Sequence, residues 1–152
     1  MASIDLPPPF PPAIMHCASS AAVEYNVPRI LLFAIIKTES SGNIHAINRN
    51  ENGTRDVGPM QVNTIWSQHL ESRYGIVNAS YHLRNNYCYN IRVGAWILKN
   101  ELGELDVRQS DPNEYWRRVG NYHSKTPKFN KIYRAKVMNN MRWLIKHTRW
   151  WS

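Results

Sequence analysis

Glu39 and Asp56 are the residues whose type and setting suit acid chemistry in this chain. They flank a Gly- and Asn-rich segment, "SSGNIHAINRNENGTR", that has few bulky side chains. A carboxyl that keeps its proton can act as a general acid, and a second carboxylate nearby can stabilise positive charge as a bond breaks. The bland alternatives are a surface Glu that only fits a helix and an Asp bonded into a turn. The two cysteines, Cys17 and Cys88, form no CxxC and have no His at ligand spacing, which argues against a zinc site. A disulfide and a pair of buried thiols both stay open from the cysteine count. No strand-turn-helix around a nucleophilic Ser supports serine-hydrolase chemistry.

The elements around the acids follow from hydrophobic period and punctuation. Ile14, Cys17, Ala21 and Tyr25 recur at helical spacing and put Cys17 on the inward face of a first helix. The next helix runs through "NVPRILLFAIIKTESSG", with Asn26 as cap candidate, Pro28 in the first turn and Gly42 as stop. Its centre is apolar on every side, as in a helix buried in mid-domain. Glu39 then lies in the last turn, where desolvation and the negative helix end both favour the protonated carboxyl. Beyond Gly42, "HAINRN" and "TRDVG" read as two short strands turned at Asn52-Gly53, with Asp56 on the second. A helix end and a hairpin beside it make two walls of a cleft.

The remainder reads as helical. "NTIWSQHLESRYG" starts at a cap on Asn63 or Thr64, and "NYCYNIRVGAWILKNELG" carries Cys88, Ile91, Ala95 and Leu98 on one stripe. "DPNEYWRRVGNYHS" opens on Asp111, Pro112 and Glu114 in cap, first and third positions. In the last helix Tyr133, Val137, Met141 and Leu144 share a face. These elements predict a mainly α fold with a small β-hairpin in one domain. Residues 1–12 are expected to form a Pro-rich leader that the domain does not need, residues 13–148 the domain and residues 149–152 a tail.

With 152 residues, 43% hydrophobic residues, six Trp and eight Tyr, the chain has enough apolar area for one core. The net charge of +8 implies an anionic partner: nucleic acid, a membrane surface or acidic wall polymers. The bases are spread from Arg29 to Arg149 without a nucleic-acid motif, so no nucleic-acid function is expected. No apolar run reaches the length of a membrane span. The N-terminus "MASIDLPPPFPP" lacks a charged-then-apolar signal peptide. The C-terminal "RWLIKHTRWWS", with Trp150 and Trp151, is either a docking segment or a helix packed on the domain, and the packed helix is preferred.

"ESSGN", "DVGPMQVN", "NIRVGAWIL" and "VGNYHSKTPKFNKIYRAKV" stand in the order and spacing of the soluble lytic transglycosylase family. The chain resembles its small branch serving secretion, conjugation and pilus assembly. The resemblance implies a lysozyme-like fold, peptidoglycan glycan strands as substrate and Glu39 as catalytic acid. It also implies a disulfide between Cys17 and Cys88, and hence an exported, periplasmic protein. The segment from Glu39 to Asn63 also looks like the catalytic stretch of animal-type lysozymes, with an acid at Asp56. The implied function is a lytic transglycosylase, a lyase that leaves a 1,6-anhydro end and opens the wall for a secretion, conjugation or pilus apparatus. Its alternatives are a muramidase hydrolysing through Glu39 and Asp56, and a non-catalytic peptidoglycan-binding assembly factor. By the same resemblance Met60 and Gln61 line the cleft, although Pro59 stands where the family motif has Leu, and Tyr122 orients the acid. Asn48, Asn63 and the ring of Trp66 contact sugar. Asn50 is weighed with them and set second, and His123 is read as a polar wall residue. The expected protein is monomeric, with neither metal nor cofactor.

Overall fold

A computed structural model describes residues 5–149. Helix α1 (Pro12–Glu24) leads into α2 (Arg29–Ser40), followed by β1 (Ile47–Arg49), β2 (Arg55–Val57) and β3 (Val62–Asn63). Helices α3 (Ile65–Tyr74), α4 (Ala79–Asn85), α5 (Tyr87–Leu102), α6 (Pro112–Gly120) and α7 (Pro127–His147) complete the order. The architecture is mostly helical with one small antiparallel sheet, consistent with the lysozyme-like expectation.

The apolar run in α2 decides the centre. Residues 31–36 are all buried because α1 covers one side of this helix and α7 another. Helix α5 packs on α1, and its Ile91, Ala95 and Leu98 have no exposed surface. A disulfide joins Cys17 of α1 to Cys88 of α5, and it closes a loop long enough to stabilise the fold by about 4 kcal/mol on the chain-entropy account. Tyr133, Val137 and Leu144 turn the buried face of α7 inward, while Met141 is half-buried.

Several local expectations need correction. Phe10, placed in the leader, is buried in the core and meets Phe33 edge-on at 6.1 Å between ring centres. A Cβ on Gly42 would approach the Phe10 ring to 2.8 Å, so this contact uses the missing side chain. Asn26 does not cap α2: Pro28 holds that position, and Asn26 has a left-handed backbone. The hairpin turns through three residues, 51–53, rather than two. Gly53 takes φ +85°, its N–H donates to Asn50 O, and Asn50 N–H donates to Thr54 O at 2.9 Å. That is the geometry in which a turn is followed by one left-handed residue.

The sheet has a third strand, since Asp56 pairs with Asn63 and Val57 with Val62. Two residues give too little alternation to be read from sequence. Asn63 still serves α3 from inside β3, its Oδ1 accepting from the N–H of Ile65 at 2.9 Å. The short helix α4 was also not anticipated. Asp111 caps α6 as expected, but Glu114 turns away from the cap to pair with Arg117 and Arg118. Helix α7 continues to His147, matching the packed-helix reading, whereas Trp150 and Trp151 lie outside the described residues.

One side chain makes several of the bonds that fasten the sheet to the helices. Asn90, fully buried in α5, donates to Val57 O at 2.8 Å and Leu83 O at 3.0 Å and accepts from Met60 N–H at 2.9 Å. Gly58 allows it, because a Cβ there would lie 2.3 Å from the Asn90 amide nitrogen. Asn90→Ala leaves three buried backbone groups without these partners and is expected to cost about 2–4 kcal/mol, read as a lower urea midpoint with unchanged slope. A midpoint shift equivalent to under about 0.5 kcal/mol would remove Asn90 from this role.

Candidate functional site

The last turn of α2, the three strands and the turn after α6 enclose a cleft of about 440 Å³. It is lined by Glu39, Asp56 and the amides of Asn48, Asn50, Gln61 and Asn63, with Trp66, Tyr122 and His123 completing its wall. Seven of the eight residues expected to act on substrate are therefore together. Met60 is the exception. It has no exposed surface and packs on Gly94, whose missing Cβ makes the room; an added one would lie 2.6 Å from Met60. The contribution of Met60 is its backbone, whose carbonyl accepts from Tyr122 Oη at 2.7 Å.

Helix α2 delivers Glu39 from the buried centre. The helix stops just past it because Ser41 and Gly42 adopt left-handed backbones, and Ser40 Oγ donates to Pro59 O at 2.8 Å, tying the helix end to the strand loop. Burial raises the Glu39 carboxyl from its ordinary 4.5 to about 8, with the charge of Asp56 adding and Lys136 opposing. Desolvation leads, as expected, while the second contribution comes from the facing carboxylate rather than from the helix end.

Asp56 is held by amides. Asn63 Nδ2 donates to its Oδ1 at 2.9 Å and Asn50 Nδ2 to its Oδ2 at 3.3 Å. Both amides also reach Thr54 Oγ1, at 3.0 and 3.1 Å, so one hydroxyl sets two of the Asp56 partners. Asn50 thus belongs to the site on equal terms with Asn63. The register explains this, because Asn48 faces Asp56 across β1 and β2 while Asn50 closes the turn. Gln61, left-handed at φ 51°, donates to Ala46 O and Gly58 O, and its Oε1 accepts from Asn48.

The opposite wall is aromatic. The hydroxyl of Tyr122 shifts well above its ordinary pKa, chiefly through burial, with Glu39 and Asp56 adding. The ring of His123 stacks on Tyr133 at 4.9 Å, and burial lowers its pKa, so the ring is neutral near pH 7. A second recess of about 260 Å³, lined by Phe129, Ile132, Tyr133 and Lys136, shares Glu39 and His123 with the main cleft. Trp66 lines the cleft and also meets Trp96 edge-on at 5.5 Å, so its ring is shared between the site and the packing beneath it. Among the described residues, no group of three or more His, Cys, Asp or Glu side chains could hold a metal.

In chemical terms, a carboxyl that stays protonated at neutral pH is a hydrogen-bond donor and proton source placed opposite a carboxylate, with surrounding amides suited to N-acetyl groups. The raised value has a measurable consequence. Below about pH 4.5 the acid is protonated in both folded and unfolded chains. Between there and about 8 only the unfolded chain releases the proton, so stability falls as pH rises. Glu39→Gln removes this penalty and is expected to stabilise the fold by up to about 3 kcal/mol at pH 7 and by almost nothing at pH 4. Melting across that range checks it, and a pH-independent difference would refute the raised value.

Residues 16–133 match the family model described as the Transglycosylase SLT domain. The chain is 34% identical over 126 residues to Protein IpgF of Shigella flexneri, covering 82% of this chain and 76% of that protein. It is 31% identical over 130 residues to Invasion protein IagB of Salmonella typhimurium (strain SL1344), covering 83% and 75%, and equally to that of Salmonella typhi. These relatives correct the expected activity. They are named as IpgF and as an invasion protein, and neither name is that of an enzyme, so the reading of this chain as a lytic transglycosylase, and as a lyase, is withdrawn. Kinship to an invasion protein stands, as does the recognition of the domain. The chain belongs to the Transglycosylase SLT domain family.

Proposed function

We propose that this chain is a peptidoglycan-binding accessory protein of an invasion or secretion apparatus, acting by holding glycan strands in the cleft rather than by cutting them. The observation that carries the reading is the amide-rich lining around Glu39 and Asp56, considered together with the invasion protein among its relatives. Amides of Asn48, Asn50, Gln61 and Asn63 match the donor and acceptor pattern of acetamido sugars, and Trp66 offers part of an aromatic surface. Glu39, kept neutral, donates a hydrogen bond to a sugar oxygen at little electrostatic cost. The basic surface favours association with acidic wall material.

The compartment that fits this partner is the periplasm, in keeping with the disulfide between Cys17 and Cys88. Among the described residues no helix is long and apolar enough to cross a membrane. The functional unit is residues 13–148 together with Phe10, acting as a monomer on the strand.

Purified sacculi test the reading. Wild type and Glu39→Gln are expected to sediment with sacculi with affinities within about twofold, because Gln keeps a neutral donor, and both leave the glycan intact. Asp56→Ala combined with Asn63→Ala is expected to weaken binding about tenfold, equivalent to about 1.4 kcal/mol. Fragments released by wild type and absent with Glu39→Gln, detected by mass spectrometry, would overturn binding without cleavage.

A further inference from the structure

We infer that the exposed side of α7 is a docking surface for an anionic lipid bilayer. Over 21 residues this helix carries Lys128, Lys131, Arg134, Lys136, Arg142 and Lys146 and no acid. Among the described residues none of these bases is in an ion pair. The same helix leaves large apolar side chains in solvent: Phe129 is 51% exposed, Ile132 48% and Trp143 46%.

These features share one side. Positions 129, 132, 136, 143 and 147 follow the spacing of one strip; exposed Lys128, Lys131, Arg142 and Lys146 lie in the sector along one edge of it, and Tyr133, Val137 and Leu144 fill the core along its other edge. The Lys37 ammonium sits over the Trp143 ring at 4.1 Å, and the His147 ring lies 4.8 Å from it. An exposed indole with an ammonium over its ring thus stands near the C-terminal end of the strip. The apolar residues from 129 to 143 extend along about 20 Å of helix.

The chemistry separates a lipid surface from other anionic partners. An acidic polymer satisfies the bases but has no use for Phe129, Ile132 and Trp143. A lipid headgroup layer takes both, because lysine stems lie along apolar surface with their charge at the phosphates while indole occupies the interface. Phe129, Ile132 and Lys136 also border the recess beside Glu39, so docking turns that end of the groove toward the bilayer.

Vesicle co-sedimentation tests this with the full chain. Vesicles of phosphatidylglycerol and phosphatidylcholine in equal parts are expected to bind at least tenfold more protein than pure phosphatidylcholine at about 0.1 M salt, with binding lost as salt rises. Trp143→Ala is expected to lower partitioning about fivefold and Trp143→Phe to restore most of it. The double variant Lys131→Glu/Lys146→Glu abolishes it, and Val23→Ala, exposed on α1, leaves it unchanged. Circular dichroism melting establishes that each variant is folded. Absence of vesicle binding overturns the inference. So does binding that Trp143→Ala leaves intact, or retention on immobilised polyglutamate without vesicle binding, which would assign the face to an acidic polymer.

Discussion

Asn90 and Asn130 are polar side chains buried inside the protein, and each turns a loop backbone into a fixed wall of the cleft. Asn90 engages Val57, Leu83 and Met60. Asn130 lies within hydrogen-bond reach of Arg117 O, Asn121 Oδ1 and Ser124 O around the turn that presents Tyr122 and His123. Each amide fits against a glycine, Gly58 and Gly120 respectively, at distances that a Cβ would reduce to 2.3 Å. Irregular backbone buried near the core needs hydrogen-bond partners, and one short amide supplies several at once. The sheet therefore keeps its position although its strands are two or three residues long, too short to persist alone.

The same rigidity sets the electrostatics. Glu39 remains in a desolvated position because Ser40 is tied to Pro59 and Thr38 Oγ1 accepts from Asn140 of α7 at 2.8 Å. The loops cannot open to hydrate the acid without breaking those bonds. Asp56 sits in the reverse environment, surrounded by donors. Two carboxyls in one cleft are thus treated differently by their surroundings, one by exclusion of water and the other by supply of N–H groups.

A site of this kind and the identity of its relatives answer different questions. The acid, the amides and the aromatic wall describe what the cleft can hold and which atoms can move a proton. The family describes descent, and the invasion protein among the relatives describes a setting. The expectation of a transglycosylase treated motif and activity as one, and the names of the relatives separate them. A fold and its site residues can persist while the use made of them differs.

Period and punctuation determined the helices other than α4, the burial of α2, the placement of Glu39 at its end and of Asp56 on the second strand. These are local properties, carried by apolar spacing, proline and glycine. The motifs also brought together seven of the eight expected substrate-facing residues. Tertiary structure alone decided that Met60 faces Gly94 rather than the cleft, that Asn50 joins Asn63 on Asp56, that Phe10 is core and that β3 exists. It also singled out Asn90 and Asn130, which in sequence are two asparagines among many. Whether a short polar side chain is solvated, caps a helix or pins a distant loop depends on which backbone groups are buried beside it, and those come from elements tens of residues away.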